Sequence, residues 1–400
     1  MKISITRRNW LRTGALLTAG LTVNRSSFGR ATHGSDAWNP VAANALHEQT
    51  LINEFARLGE PMPQIKARIA FNENPHGLSP KAREAIVKAI EVGNRYSMFE
   101  GQELKKLIAD REGVKPENIM LSAGSSELLT AMAVYFTGSA VKGGGGTVLT
   151  SQFTYDDFLG CAKKFGTKVE AVPLTKEYRY DLAAMKAKIT PDTKLVYICN
   201  PNNPTGTVIP AAELVAFSRE VSPKLPVFID EAYIDFLKPE DRPALPKLVA
   251  EGHNLFLTRT FSKIHGFAGL RLGYAIGPEK FLKDLQNYSR GEWNPSVTTL
   301  RAGIASYQDL EWQNFCRTEN DKARELLYKG LRDKGYEYVP SFANFVLFPI
   351  RMKPKTFEKE MFSNGILTST REYNAQPYCR VSIGTMDEMG LFMDAFRKIV

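Results

Sequence analysis

Four short segments gather reactive residue types where apolar runs end: Asn200-Pro-Asn-Asn-Pro-Thr-Gly206, Asp230-Glu-Ala-Tyr233, Thr260-Phe-Ser-Lys263 and Gly269-Leu-Arg-Leu-Gly-Tyr274. Between them they supply amide, carboxylate, phenol, hydroxyl, ammonium and guanidinium groups. Ligands of open α/β sheets bind beyond the carboxyl ends of the strands, so this clustering points to one site. Each residue also has a plainer reading. Asp230 alone would serve as a helix N-cap, Tyr233 as a core aromatic and Lys263 as a solvated surface charge. A further segment, Gly124-Ser-Ser126, sits between an apolar run and a helical pattern from Glu127 to Val134. That is the layout of an anion site at a helix N-terminus, although Ser125 could equally be only a cap.

The elements that must position these residues follow from hydrophobic patterning. Leu195–Cys199, Pro226–Ile229, Leu255–Leu257 and Leu272–Ile276 are short continuous apolar runs, and the helical spacing of Ala211–Val221 separates the first two. Strands apolar on both faces and alternating with helices predict a mostly parallel sheet covered on both sides. After about residue 295 a long charged helical stretch, Thr299–Lys334, precedes strand candidates at Asn344–Phe348 and Cys379–Ile383 and a final helix from Asp387. This predicts a smaller α+β domain. The four glycines 143–146 predict a turn before a strand at Thr147–Thr150, and they lack the Lys-Ser/Thr ending of a phosphate loop.

Taken in order, these segments resemble the fold-type I pyridoxal-phosphate aminotransferases, and the histidinol-phosphate aminotransferase branch most closely. Phe71-Asn-Glu-Asn-Pro-His-Gly77, Ala123-Gly-Ser-Ser-Glu127 and Cys379-Arg-Val-Ser-Ile-Gly384 extend the similarity over roughly residues 69–390. The resemblance implies an α/β fold with a large pyridoxal-phosphate-binding domain (71–295) and a smaller C-terminal domain (296–400), preceded by a linker and N-terminal arm (31–70). It implies that Lys263 binds pyridoxal 5'-phosphate covalently and then acts as general base. Asp230 would keep the ring nitrogen protonated. Asn203 and Tyr233 would hydrogen-bond the phenolic oxygen, and Tyr155 would stack on the ring. Gly124, Ser125, Ser126, Ser262 and Arg271 would hold the phosphate. Tyr96 would reach the same phosphate from a neighbouring subunit, which implies a homodimer. Arg380 would clamp the substrate carboxylate through its planar fork. Asn74 belongs to the loop that covers the site in relatives, where His76 replaces the usual tyrosine.

The implied reaction moves an amino group between an amino acid, or an amino-acid-like phosphate ester, and a 2-oxo acid. Two alternatives use the same residues: a decarboxylase of the threonine-phosphate type, and a non-catalytic binder on the same scaffold. The chain has 400 residues and a formal charge of +9, but Lys2, Arg7, Arg8, Arg12, Arg25 and Arg30 lie in the first thirty, which hold no acid. The remaining 46 basic and 43 acidic residues predict no nucleic-acid partner. Adjacent Arg7 and Arg8 before the apolar run Gly14–Val23 look like a twin-arginine-type signal peptide over residues 1–30. This predicts passage through the twin-arginine translocase to the periplasm, with a membrane tether if the signal stays uncleaved. The four cysteines, at 161, 199, 316 and 379, form no Cys-x-x-Cys pair, so neither a disulfide framework nor a metal site is expected.

Overall fold

The computed structural model describes residues 63–137 and 146–400. The expected signal, the linker and arm up to residue 62, and glycines 143–145 lie outside the described residues.

Twelve strands form three sheets among these residues: β1 (Ala67–Arg68), β2 (Ile119–Ser122), β3 (Thr147–Ser151), β4 (Lys168–Val172), β5 (Thr193–Cys199), β6 (Val227–Asp230), β7 (Leu255–Thr260), β8 (Gly273–Ile276), β9 (Phe345–Pro349), β10 (Ile366–Leu367), β11 (Ser369–Tyr373) and β12 (Gln376–Ser382). The largest sheet runs β2-β8-β7-β6-β5-β3-β4. Its strands from β7 to β4 pair in parallel, whereas β8 runs antiparallel to both of its neighbours. The period of two explains why its central strands read as continuous apolar runs. Val196 and Ile198 of β5, Val227 and Ile229 of β6, and Leu255 and Leu257 of β7 enter one core. The intervening Leu195, Tyr197, Phe228 and Phe256 enter a second core on the opposite face. Helices Glu100–Glu112 and Ala211–Val221 close the first face, through Leu104, Ile108, Leu214 and Phe217. Helices Ser125–Thr137 and Asp157–Lys164 close the second, through Leu128, Met132, Phe158 and Leu159.

A smaller antiparallel sheet, β11-β12-β9, packs Val346, Phe348, Cys379 and Val381 against helices Leu310–Asp333, Pro354–Ser363 and Met386–Ile399. The amino-terminal β1 pairs in parallel with β10, which ties residues 67–72 to this smaller unit. Helix Val297–Gln308 belongs to the segment the sequence placed in the C-terminal part, yet it packs Leu300, Ala302 and Tyr307 into the first core of the large sheet. The long helix expected over Thr299–Lys334 is two helices. Asp309 has ψ 70°, outside the helical region, and its carboxylate accepts from the Trp312 amide and caps the second helix.

Register brings the motifs together. Asp230 ends β6 opposite Cys199 of β5 on one side and Thr258 of β7 on the other. The Asn200 segment, Asp230 and the turn carrying Lys263 therefore follow three neighbouring parallel strands at the same sheet edge.

Candidate active site

A cavity of about 1090 Å³ opens at that edge, and Ser125, Ser126, Tyr155, Asn203, Asp230, Tyr233, Ser262, Lys263, Arg271 and Arg380 all line it. The Lys263 Nζ donates to the Phe71 carbonyl at 3.1 Å and lies 5.5 Å from the centre of the Tyr233 ring. Burial lowers its amine to a pKa of about 8, helped by Arg380 and Arg271, while Glu73 and Asp230 act in the opposite sense. A buried lysine held near neutral pH supplies the unprotonated amine that nucleophilic and general-base chemistry needs.

Asp230 is 1% exposed and accepts from the Thr258 hydroxyl at 3.0 Å. Burial pushes its carboxyl up to about 7, despite that hydroxyl and the backbone amide of Ala232. Among the described residues its charge has no ion-pair partner within 4 Å. A cation brought into the cavity beside it would supply one.

The anion cup forms where β2 turns into helix Ser125–Thr137. Gly124 has φ +87°, and a Cβ placed there would stand 2.3 Å from Arg271 Nη2. Only glycine lets the guanidinium close over the helix N-terminus. Arg271 donates to the Ala268 carbonyl at 2.8 Å and to Ser262 Oγ at 3.4 Å. Gly124 itself does not line the cavity; it makes room for Arg271.

The smaller unit contributes an arginine to the site, beside two tyrosines that follow strands of the large sheet. Arg380 of β12 is buried, donating to Asn203 Oδ1 at 2.9 Å and to the Ala70 carbonyl at 2.6 Å, and its Nε has no hydrogen-bond partner among the described residues. Tyr233 accepts from Asn72 Nδ2 at 2.9 Å and from Asn203 Nδ2 at 3.3 Å, and burial raises its phenol above the ordinary range. The Tyr155 hydroxyl donates to Asp157. Burial, then the Asp157 charge, raises the Tyr155 phenol, so the ring stays neutral.

Two residues named from the sequence lie elsewhere. Asn74 donates to the Ile264 carbonyl and to Cys316 Sγ, and it lines a neighbouring crevice of about 270 Å³ instead of the main cavity. Tyr96 is 86% exposed and does not line this chain's cavity. Sequence reasoning missed Asn72, Thr258 and Arg371. Arg371 lies on β11 and lines the cavity, where burial and Arg380 work against its charge and Glu358 and Asp156 favour it. Asn72 was readable only as a member of the Phe71–Gly77 motif. Thr258 and Arg371 carried no pattern of their own.

The residues present fit pyridoxal 5'-phosphate. A cup of backbone amides and one guanidinium suits its phosphate, the buried unpaired carboxylate suits a protonated ring nitrogen, and the amine of lowered pKa suits covalent attachment. No cluster of metal-ligating side chains occurs among the described residues. Residues 64–396 match the family model of aminotransferase class I and II. The histidinol-phosphate aminotransferase of Moorella thermoacetica is 34% identical over 352 residues, spanning 86% of this chain and 89% of the relative. A crystal structure of histidinol-phosphate aminotransferase from Sinorhizobium meliloti in complex with pyridoxal-5'-phosphate superposes with a TM-score of 0.76 at 25% identity, covering 88% of this chain and 95% of that one. Aspartate aminotransferase from Thermus thermophilus shares the fold at TM-score 0.75 and 20% identity, over 90% of this chain and 96% of that one. The chain belongs to the class I and II aminotransferase family and is a pyridoxal 5'-phosphate-dependent transaminase of the histidinol-phosphate aminotransferase-like kind.

Proposed function

We propose that the chain moves the amino group of an amino acid, or of an amino-acid-like phosphate ester such as histidinol phosphate, to a 2-oxo acid. The observation that carries this is the placement of the Lys263 amine in one cavity with two small-unit arginines, Arg380 and Arg371. When bound, pyridoxal 5'-phosphate supplies an electron sink that stabilises negative charge at the substrate Cα. The chain does the rest. Ser125, Ser126, Ser262 and Arg271 would hold the phosphate, with Gly124 giving Arg271 the room to do so, and Asp230 would keep a proton on the ring nitrogen. Tyr155 packs on the ring, and Asn203 and Tyr233 hold the phenolic oxygen. Arg380 fixes the substrate carboxylate by a bidentate pair, so that the Lys263 Nζ can take the Cα proton and return it. Arg371 adds a second positive group for substrates with a distal carboxylate or phosphate. Asn74, which touches Ile264 in the turn after Lys263, supports that turn from outside the cavity.

A panel of amino donors, with histidinol phosphate, acidic and aromatic amino acids included, tests the reading. The expected result is loss of the cofactor's visible absorbance with one equivalent of carbonyl product per site. Release of CO₂ in place of that product would make the enzyme a decarboxylase, and no change with any donor would make it a binder.

Residues 1–30 lie outside the described residues, and for them we propose export by the twin-arginine translocase to the periplasm. The support is the arginine pair, the short apolar run and the lack of acidic residues. We further propose a homodimer in which Tyr96 reaches the partner's phosphate cup. Exposed Tyr96, Met98, Phe99 and Trp293 give it an apolar surface to bury. The native mass of protein recovered from the periplasmic fraction tests both points. A monomeric mass would overturn the dimer, and a full-length chain confined to the cytoplasm would overturn export.

A further inference from the structure

Tyr233 has one hydroxyl proton, and its hydrogen-bond partners determine where that proton points. Arg380 can only donate, so its bond to Asn203 Oδ1 at 2.9 Å fixes that amide with Nδ2 toward Tyr233. Asn72 is fixed by a second argument. Its backbone N–H donates to Ser382 Oγ at 2.8 Å, and Ser382 returns its only proton to Asn72 Oδ1 at 2.9 Å. A flipped Asn72 amide would leave the serine proton without that acceptor, so Nδ2 faces Tyr233 at 2.9 Å. The phenolic oxygen thus accepts from two amides. Its proton has neither amide to go to and is left for the cavity.

We propose that Asn72 is a positioning residue that aims the Tyr233 proton at the cofactor's phenolic oxygen and so holds that oxygen as an anion. The inference rests on the pyridoxal-phosphate reading and adds a link to the smaller unit, because Ser382 of β12 orients the amide. The backbone agrees with the assignment. Asn72 has φ 56°, a region open to asparagine and glycine but costly for other residues, and its carbonyl accepts from Asn344 Nδ2 at 3.1 Å. The remaining charged and titratable groups around Tyr233 are Arg380 of β12, Arg371 of β11, Asp230 of β6, Cys199 of β5, Tyr155 and the Lys263 amine. The substitutions below leave all six in place.

The test is the pH midpoint of the visible absorbance of the bound cofactor, with the melting temperature of the cofactor-free protein measured in parallel. Losing one hydrogen bond to the anionic form raises the midpoint. Asn72→Gly keeps the backbone conformation and removes the donor, and is expected to move the midpoint up by about half to one pH unit. Asn72→Asp replaces the donor with an acceptor that captures the Tyr233 proton, so its shift is larger. Ser382→Ala frees the amide to turn and gives a smaller shift of the same sign. In a Tyr233→Phe background, Asn72→Gly produces no further shift. Unchanged midpoints in the Gly and Asp variants, or additive shifts in the Phe background, would overturn the proposal. Should Asn72→Gly not fold, an unchanged midpoint in Ser382→Ala would do so. A wild-type protein that takes up no pyridoxal 5'-phosphate would instead overturn the cofactor reading itself.

Discussion

Lys263→Ala turns over at least about 10⁴-fold more slowly than the wild type and shows none of the visible absorbance of covalently held cofactor. Two functions are lost together. The covalent attachment point disappears, and so does the base that moves a proton at the substrate Cα. Lys263→Arg separates charge from chemistry. Arginine keeps the positive charge but cannot release a proton, so it is expected to be nearly as inactive as alanine. The wild-type amine, lowered to a pKa of about 8 by burial and by Arg380 and Arg271, sets the pH dependence of attachment. Below pH 8 its neutral fraction falls about tenfold per unit, so the rate at which added pyridoxal 5'-phosphate attaches should fall in step and level off above pH 8. Rapid-mixing absorbance from pH 6 to 9 measures this. Turnover that survived in Lys263→Ala would remove the lysine from the mechanism.

The large sheet was legible because β5, β6 and β7 are apolar on both faces, and such runs between helices have few other folds open to them. The residues at their carboxyl ends were legible for the same reason, since strand ends are where chemistry collects. The helix break at Asp309 was not legible. An aspartate is tolerated on an exposed helix face, and only the Trp312 amide makes this one a cap. Arg371 lies in Ser-Thr-Arg-Glu-Tyr, a polar strand with no alternation to mark its inner face. Its approach to the cavity depends on a hairpin pairing with β12. The motif Phe71–Gly77 offered two asparagines, and which of them enters the cavity depends on the backbone at Asn72 and its contacts with Ser382 and Asn344. Those contacts lie some 270 to 310 residues away in sequence.

Asp230→Asn should abolish most activity while making the cofactor-free protein more stable at alkaline pH. The activity loss, at least about 10²–10³-fold in kcat, follows from removing the one charge placed to keep a proton on the ring nitrogen. The stability gain follows from the same burial. Burial, with smaller contributions from Asp157 and Glu231, raises the folded-state carboxyl to about 7 from an ordinary value of 3.8. Between these two values the folded protein holds a proton that the unfolded chain has lost. Stability therefore falls as pH rises through that window and levels off above it. Asparagine is neutral throughout and escapes this penalty, which for a fully buried carboxylate is on the order of 2–4 kcal/mol. Melting of the two cofactor-free proteins should thus be nearly equal at pH 4 and favour Asp230→Asn at pH 8. Saturating pyridoxal 5'-phosphate should reverse the order at pH 8, because only the wild type gains an ion pair with the ring. A wild type that was already the more stable cofactor-free protein at pH 8 would mean that the carboxylate has a partner inside the folded chain, and that Asp230 is not held in reserve for a cation. The stability sacrificed at this position is the physical trace of the function.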